Sequence, residues 1–137
     1  TTFDLDIFVI LSGDTRLIVS LSPIYEWLNS KGYHPKNEQI IIEGIPVQFI
    51  PVYNELVKEA VLDTRTIRYK NTQTFILKPE YLLAIMIQTF RPKDRNRILL
   101  FLDEVEISQD FLKQILASHQ LQEKYETFLR SYRDTKE

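Results

Sequence analysis

Apolar residues run unbroken from Ile7 to Leu11, directly after the alternating stretch Phe3-Asp4-Leu5-Asp6. A period of two predicts a strand over residues 3–11, with Asp4 and Asp6 on one face and Leu5, Ile7 and Val9 on the other. The continuous apolar run predicts burial on both faces, with the two acids mounted at the exposed N-terminal end. Ser12-Gly13-Asp14 reads as a turn, and Arg16 to Leu21 as extended chain or the run-in to a helix. Ser22-Pro23 supplies an N-cap and a first-turn proline. Ile24, Trp27 and Leu28 then form an apolar stripe that Lys31-Gly32 ends. Residues 39–42 and 45–50 flank Glu43-Gly44, a two-residue turn in which glycine takes a positive φ, so a β-hairpin is expected. Pro46 cannot donate to a ladder and belongs at a strand start or an open side.

Asn54 opens a predicted helix through Asp63, with Leu56, Val57, Ala60 and Val61 on its inner face. A smaller hairpin is expected around Lys70-Asn71, from Thr66–Tyr69 and Thr74–Leu77. After Pro79 the period becomes helical: Tyr81, Leu82, Ile85, Met86 and Thr89, an interruption at Pro92, then Ile98, Leu99, Phe101, Leu102 and Val105. Ser108 caps a stripe of Phe111, Leu112, Ile115 and Leu116, and Leu121, Tyr125, Phe128, Leu129 and Tyr132 make the last one. The tail from Arg130 to Glu137 reads as a fraying, solvated end. This order predicts an α+β fold, a mixed sheet with a C-terminal set of helices packed beside it. The chain is expected to be a single domain over 1–137, sheet-containing over 1–78 and helical over 79–137. The predicted core is Leu5, Ile7, Val9, Trp27, Val47, Phe49, Leu82, Ile85, Leu99 and Leu102.

Composition narrows the function classes. With 137 residues, 44% hydrophobic and 26% charged, the chain has enough apolar surface for a compact fold. A net charge of −2 argues against binding nucleic acid by bulk charge, while leaving room for a local basic site. The absence of cysteine excludes disulfides, thiolate metal sites and cysteine nucleophiles. The two histidines, His34 and His119, lie too far apart in sequence to suggest a zinc site. No stretch of membrane-spanning length and no signal peptide is visible, so a soluble, cytoplasmic protein without membrane contact is expected. The chain starts at Thr1 almost on its key motif, and a preceding N-terminal segment is expected.

Two acids at i and i+2 on one strand can share a divalent cation; the plain alternative is a solvated strand end. The wider order of motifs weighs on that choice. The strand Thr2-Phe3-Asp4-Leu5-Asp6 comes first, followed by a short helix and the hairpin strand Gly44-Ile45-Pro46-Val47-Gln48-Phe49-Ile50-Pro51. A helix opening Pro79-Glu80-Tyr81-Leu82-Leu83-Ala84 and a Pro92-Lys93-Asp94 element complete it. This order resembles the minimal nucleotidyltransferase-fold proteins, related to the polymerase-β superfamily and to abortive-infection nucleotidyltransferase toxins. The resemblance spans residues 2 to about 102. It implies that Asp4 and Asp6 bind Mg²⁺ and a nucleoside triphosphate. It further implies a Gly-Ser phosphate loop upstream of Thr1 and a third acid on the second hairpin strand.

That third position falls on Gln48. Its amide can offer Mg²⁺ a neutral carbonyl oxygen, but it can neither act as a general base nor balance a second metal. Arg91, Lys93, Arg95 and Arg97 cluster at a helix start, where free N–H groups favour an anion, so Arg91, Lys93 and Arg95 are candidates for nucleotide phosphates. The plain alternative there is a solvated loop with Asp94 as the N-cap. Two functions stay open. One is Mg²⁺-dependent transfer of a nucleotidyl group from an NTP to a hydroxyl on a protein, RNA or small molecule. The other is a catalytically impaired descendant that binds nucleotide or protein. A second copy of the chain or an antitoxin-type partner is compatible with either.

Overall fold

The computed structural model describes residues 4–10, 21–37 and 39–136. The turn expected at Ser12-Gly13-Asp14, the stretch from Arg16 to Ser20, Phe3, Leu11 and Glu38 lie outside these residues. The chain is α+β, and its contacts divide it into two compact units, Thr1–Asn54 and Glu55–Glu137.

The first unit carries a four-stranded mixed sheet in the order β1-β4-β3-β2: β1 (Leu5–Val9), β2 (Pro35–Lys36), β3 (Gln39–Ile42) and β4 (Ile45–Pro51). Strand β1 runs parallel to β4, and the other pairs are antiparallel. The expected turn forms at Glu43-Gly44, with φ of 50° and 81°, so Ile42 pairs with Ile45. Positive φ at both central residues matches the twist of the flanking strands. The Tyr33 hydroxyl donates to the Glu43 carboxylate across this turn, and that bond raises the phenol's pKa.

Leu28, Ile40 and Val47 are the buried core of this unit, and Ile7, Ile24, Ile42 and Phe49 pack partly against it. Helix α1 (Ser22–Ser30) presents Ile24 and Leu28, one turn apart, and Tyr25 meets Phe49 edge to face at 6.4 Å. Two expected core residues are not core. Trp27 is 60% exposed, because it sits about 100° around the helix from Leu28, and its ring lies under the Lys31 ammonium instead. Leu5 is 50% exposed, and β1 as a whole is exposed or half-buried rather than buried on both faces. The reason is its place at the edge of the sheet, with a covered neighbour on one side only. Helix α1 also starts at Ser22 itself, with Leu21 at the N-cap and no side-chain cap.

The second unit holds α2 (Glu55–Leu62), a two-stranded sheet of β5 (Arg65–Tyr69) and β6 (Thr72–Ile76), and four helices: α3 (Pro79–Thr89), α4 (Pro92–Glu104), α5 (Gln109–Ser118) and α6 (Gln122–Lys136). The smaller hairpin thus falls with the helices rather than with the larger sheet. The core here is larger, from Leu56 and Ala60 through Tyr81, Leu83, Ala84 and Ile87 to Ile98, Leu112, Ile115, Leu116, Leu121 and Tyr125. Leu82, expected inside, is 37% exposed. Residues 81–87 are apolar on every side of the helix, so the pattern predicts a helix without fixing its phase, and the buried face is Tyr81, Leu83, Ala84 and Ile87. Helix α6 continues to Lys136 where fraying was expected from Arg130, and the Thr135 hydroxyl bonds to the Ser131 carbonyl at 2.7 Å.

Prolines punctuate this unit as predicted, at the first turns of α3 and α4. Ser108 caps α5 through its hydroxyl, which accepts from Phe111 N at 3.3 Å. The Ser108 N–H in turn donates to the buried Glu80 carboxylate at 2.9 Å. Thus a buried acid on α3 fastens the start of α5.

Candidate functional site

The parallel pairing of β1 with β4 builds the first candidate site. Its register sets Asp6 opposite Gln48, and residues opposite one another on paired strands share a face. The strand begins at Leu5, so Asp4, expected inside it, lies just ahead of its first residue and outside the pleat. Both aspartates are exposed and Gln48 is half-buried. The structure therefore sets Asp6 beside Gln48, and Asp4 stands ahead of the strand.

The same face holds Gln39, which the hairpin register already aligned with Gln48, and Lys36, which the sequence did not point to. Ile40 pairs with Val47, so Gln39 continues the register opposite Gln48, and Lys36 pairs with Gln39. Asp6, Gln48, Gln39 and Lys36 thus form one polar row across all four strands, with an acid at one edge and a cation at the other, roughly 14 Å apart at strand spacing. The signal was present in the hairpin register, which already aligned Gln39 with Gln48. Only the pairing of β2 adds Lys36. On the next row of this face, Phe8 pairs with Ile50, both half-buried.

The donor set of Asp4, Asp6 and Gln48 is all oxygen: two carboxylates and one amide carbonyl. A hard cation such as Mg²⁺ takes oxygen ligands and keeps several waters or substrate phosphates, so these residues fit it as part of a shared site rather than as a complete cage. Among the described residues no group of three or more histidine, cysteine, aspartate or glutamate side chains is placed to hold a metal ion.

Arg91, Lys93 and Arg95 belong to the second unit, at the start of α4. Arg91 is the N-cap residue, and Asp94, at the third helical position, reaches back to it. Asp94 Oδ2 accepts from the Arg91 backbone N–H at 2.9 Å and from Nε at 2.8 Å, while Oδ1 accepts from Nη2 at 3.2 Å. Asp94 is thus not the N-cap of a solvated loop; it is fully buried and accepts from the backbone N–H of the N-cap residue, while the Arg91 guanidinium, a donor only, adds its own bonds to the carboxylate. The Arg91 side chain beside it holds its carboxyl below the ordinary value. Arg91 is engaged in this cap, whereas Lys93 is exposed on the same turn.

Arg95 has a different setting. Its guanidinium lies 4.6 Å from the centre of the Phe90 ring, and the Lys124 ammonium lies 4.9 Å from the same ring. Phe90 takes a left-handed φ of 51° at the end of α3. These residues, with Gln120, Glu123, Thr127, Phe128 and Ser131, line an open cavity of about 590 Å³.

Two further polar clusters lie in the second unit. Lys78 Nζ donates to Asp63 Oδ1 at 2.7 Å and the Tyr81 hydroxyl to Oδ2 at 3.2 Å; the Lys78 bond is the larger cause of the lowered Asp63 pKa. Burial, with Glu59 and Asp63 nearby, pushes the Tyr81 phenol well up. His119 Nε2 lies 3.2 Å from Glu59 Oε2. Compared with models of protein families, with curated proteins and with solved structures, the chain matches none. Among the described residues no helix is long and apolar enough to cross a membrane.

Proposed function

We propose that the chain is a Mg²⁺-dependent nucleotidyltransferase-like protein that transfers a nucleotidyl group from an NTP to a hydroxyl acceptor. The observation that supports this reading is the parallel β1–β4 register, in which Asp6 pairs with Gln48, while Asp4 precedes it by two residues in the chain. Asp4 and Asp6 would hold Mg²⁺, with Gln48 offering its carbonyl oxygen, and the nucleotide's phosphates would supply the remaining charge. The ion, when bound, neutralises charge on the triphosphate.

In the reaction the acceptor oxygen bonds to the α-phosphorus as the bond to pyrophosphate breaks. The hydroxyl proton leaves to Asp4, Asp6 or water, since the Gln48 amide cannot take it. Catalysis would then rest on positioning and charge neutralisation more than on a strong base. A cytoplasmic setting, where Mg²⁺ and NTPs are both at hand, belongs to the same proposal.

Gln48 also favours a second reading, a descendant that binds nucleotide without transferring it, because a two-metal site needs the charge that an acid would bring here. Transfer of label from α-labelled NTPs to protein, RNA or small hydroxyl acceptors separates the two. Transfer that is lost in Asp4→Asn/Asp6→Asn supports the enzyme. Nucleotide binding without transfer, with transfer appearing in Gln48→Asp, supports the descendant.

A further inference from the structure

We propose that the β5–β6 hairpin is a binding arm for single-stranded nucleic acid. The proposal goes beyond nucleotidyl transfer and does not depend on it. Between Thr64 and Pro79 the chain carries Arg65, Arg68, Lys70 and Lys78 and no acid, within a protein whose net charge is −2. The cationic charge is thus local, the kind that overall composition conceals.

The surroundings of these cations matter as much as their number. Lys78 is bound to Asp63, but neither Arg65 nor Arg68 pairs with a carboxylate among the described residues. Every residue of β5 is exposed, and in β6 only Thr74 is half-buried. Yet the hairpin exposes large rings: Tyr69 is 68% exposed and Phe75 is 64% exposed. A two-stranded hairpin with both faces open is marginally stable at best, so two bare aromatic rings on it bring no packing in return.

Register distributes the two residue types over both faces. Tyr69, Ile67 and Arg65 share one face with Thr72, Thr74 and the exposed Ile76, which pairs with Arg65; Arg68 and Thr66 share the other with Gln73 and Phe75. Each face therefore combines an arginine, an exposed aromatic ring and neutral hydrogen-bonding groups, while Lys70 stands at the turn, its ammonium 5.6 Å from the Tyr69 ring. Cations that meet backbone phosphates, rings on which unpaired bases stack, and no repelling acid are what a sequence-tolerant single-strand surface requires. An acidic protein partner would use the cations but leave the rings without a role.

The test is fluorescence anisotropy of a labelled single-stranded oligonucleotide of mixed sequence with the whole chain, in chelator and without NTP, so that Asp4 and Asp6 do not enter. With about three phosphates neutralised, affinity should fall roughly twentyfold between about 50 and 200 mM salt. Arg65→Ala/Arg68→Ala/Lys70→Ala should abolish most of the binding and its salt dependence. Tyr69→Ala/Phe75→Ala should weaken it at least about tenfold, and Tyr69→Phe should restore it. Lys58→Ala/Lys113→Ala, two exposed cations elsewhere in the same unit, should leave it within about twofold. Circular dichroism of each variant checks that the helices remain. No binding by the wild type, hairpin variants that bind as well as it does, or equal affinity for a blunt duplex overturns the proposal. So does a concentration-dependent dimer that the ring variants dissolve, since the rings would then serve a second copy of the chain.

Discussion

The two units keep their chain folded in different ways. In the second, α3 lies among buried residues from α2, α4, α5 and α6, and Leu83, Ala84, Ile98 and Leu116 are wholly inaccessible. In the first, the described residues bury only Leu28, Ile40 and Val47, and the strand that carries Asp6 is an edge strand with no fully buried side chain. Burial of apolar surface is the main favourable term in folding, so the candidate metal face is mounted on the less deeply buried unit. Sites that must admit a charged ligand are commonly drawn from such regions, where backbone opens at lower cost.

The largest effect should follow from emptying the deeper core. Leu83→Ala removes a fully buried side chain from α3 and should cost about 3–5 kcal/mol, read as a shift in the denaturation midpoint. Ile40→Ala, at the centre of the smaller core, should cost about 2–4 kcal/mol, with most of its effect on hydrogen exchange in β3 and β4. Equal losses of protection in α3 and in β4 from either variant would break the contrast between the units. In the wild type, amides of α3 should exchange far more slowly than those of β1.

Asp94 sharpens the comparison within the second unit. Its folded pKa lies below the ordinary 3.8, chiefly through the Arg91 side chain. A depressed acid contributes fully above its unfolded pKa and loses the contribution as pH falls through the lower folded value. Asp94→Ala should therefore cost about 1–3 kcal/mol near neutrality, and its melting curve should approach that of the wild type as pH falls below the ordinary carboxylate value. At the small end, Trp27→Ala should change stability by less than about 0.5 kcal/mol, because its ring faces water.

These contrasts also mark what was legible in the sequence. The Glu43-Gly44 turn, the first-turn prolines and the Ser108 cap were, because their chemistry is local: Gly44 tolerates positive φ, Pro79 and Pro92 fit the first helical turn, and Ser108 reaches a nearby N–H; the cap expected at Ser22 instead fell on Leu21. So was the polar face of β1, since strand alternation needs no tertiary information. Helix phase was not legible where every position is apolar, as at Leu82, nor was the exposure of Leu5, which depends on strand order. The role of Asp94 was hidden for a similar reason. An acid three residues after Arg91 reads equally as a cap or as a capping-box partner, and only its burial separates the two. The polar row to Lys36 required β2, a two-residue strand too short to leave a periodic signal.

On the proposed reading, Asp4, Asp6 and Gln48 form one incomplete oxygen site that a nucleotide completes. With two carboxylates and a neutral amide, Mg²⁺ alone should bind weakly, and Mg²⁺ with an NTP should bind more tightly than either does separately. Isothermal titration of the wild type, Asp4→Asn/Asp6→Asn and Gln48→Asp measures this directly. The account predicts cooperative Mg²⁺–NTP binding that the double variant loses and that Gln48→Asp strengthens. No cooperative binding by the wild type, or equal binding by the double variant, would contradict it.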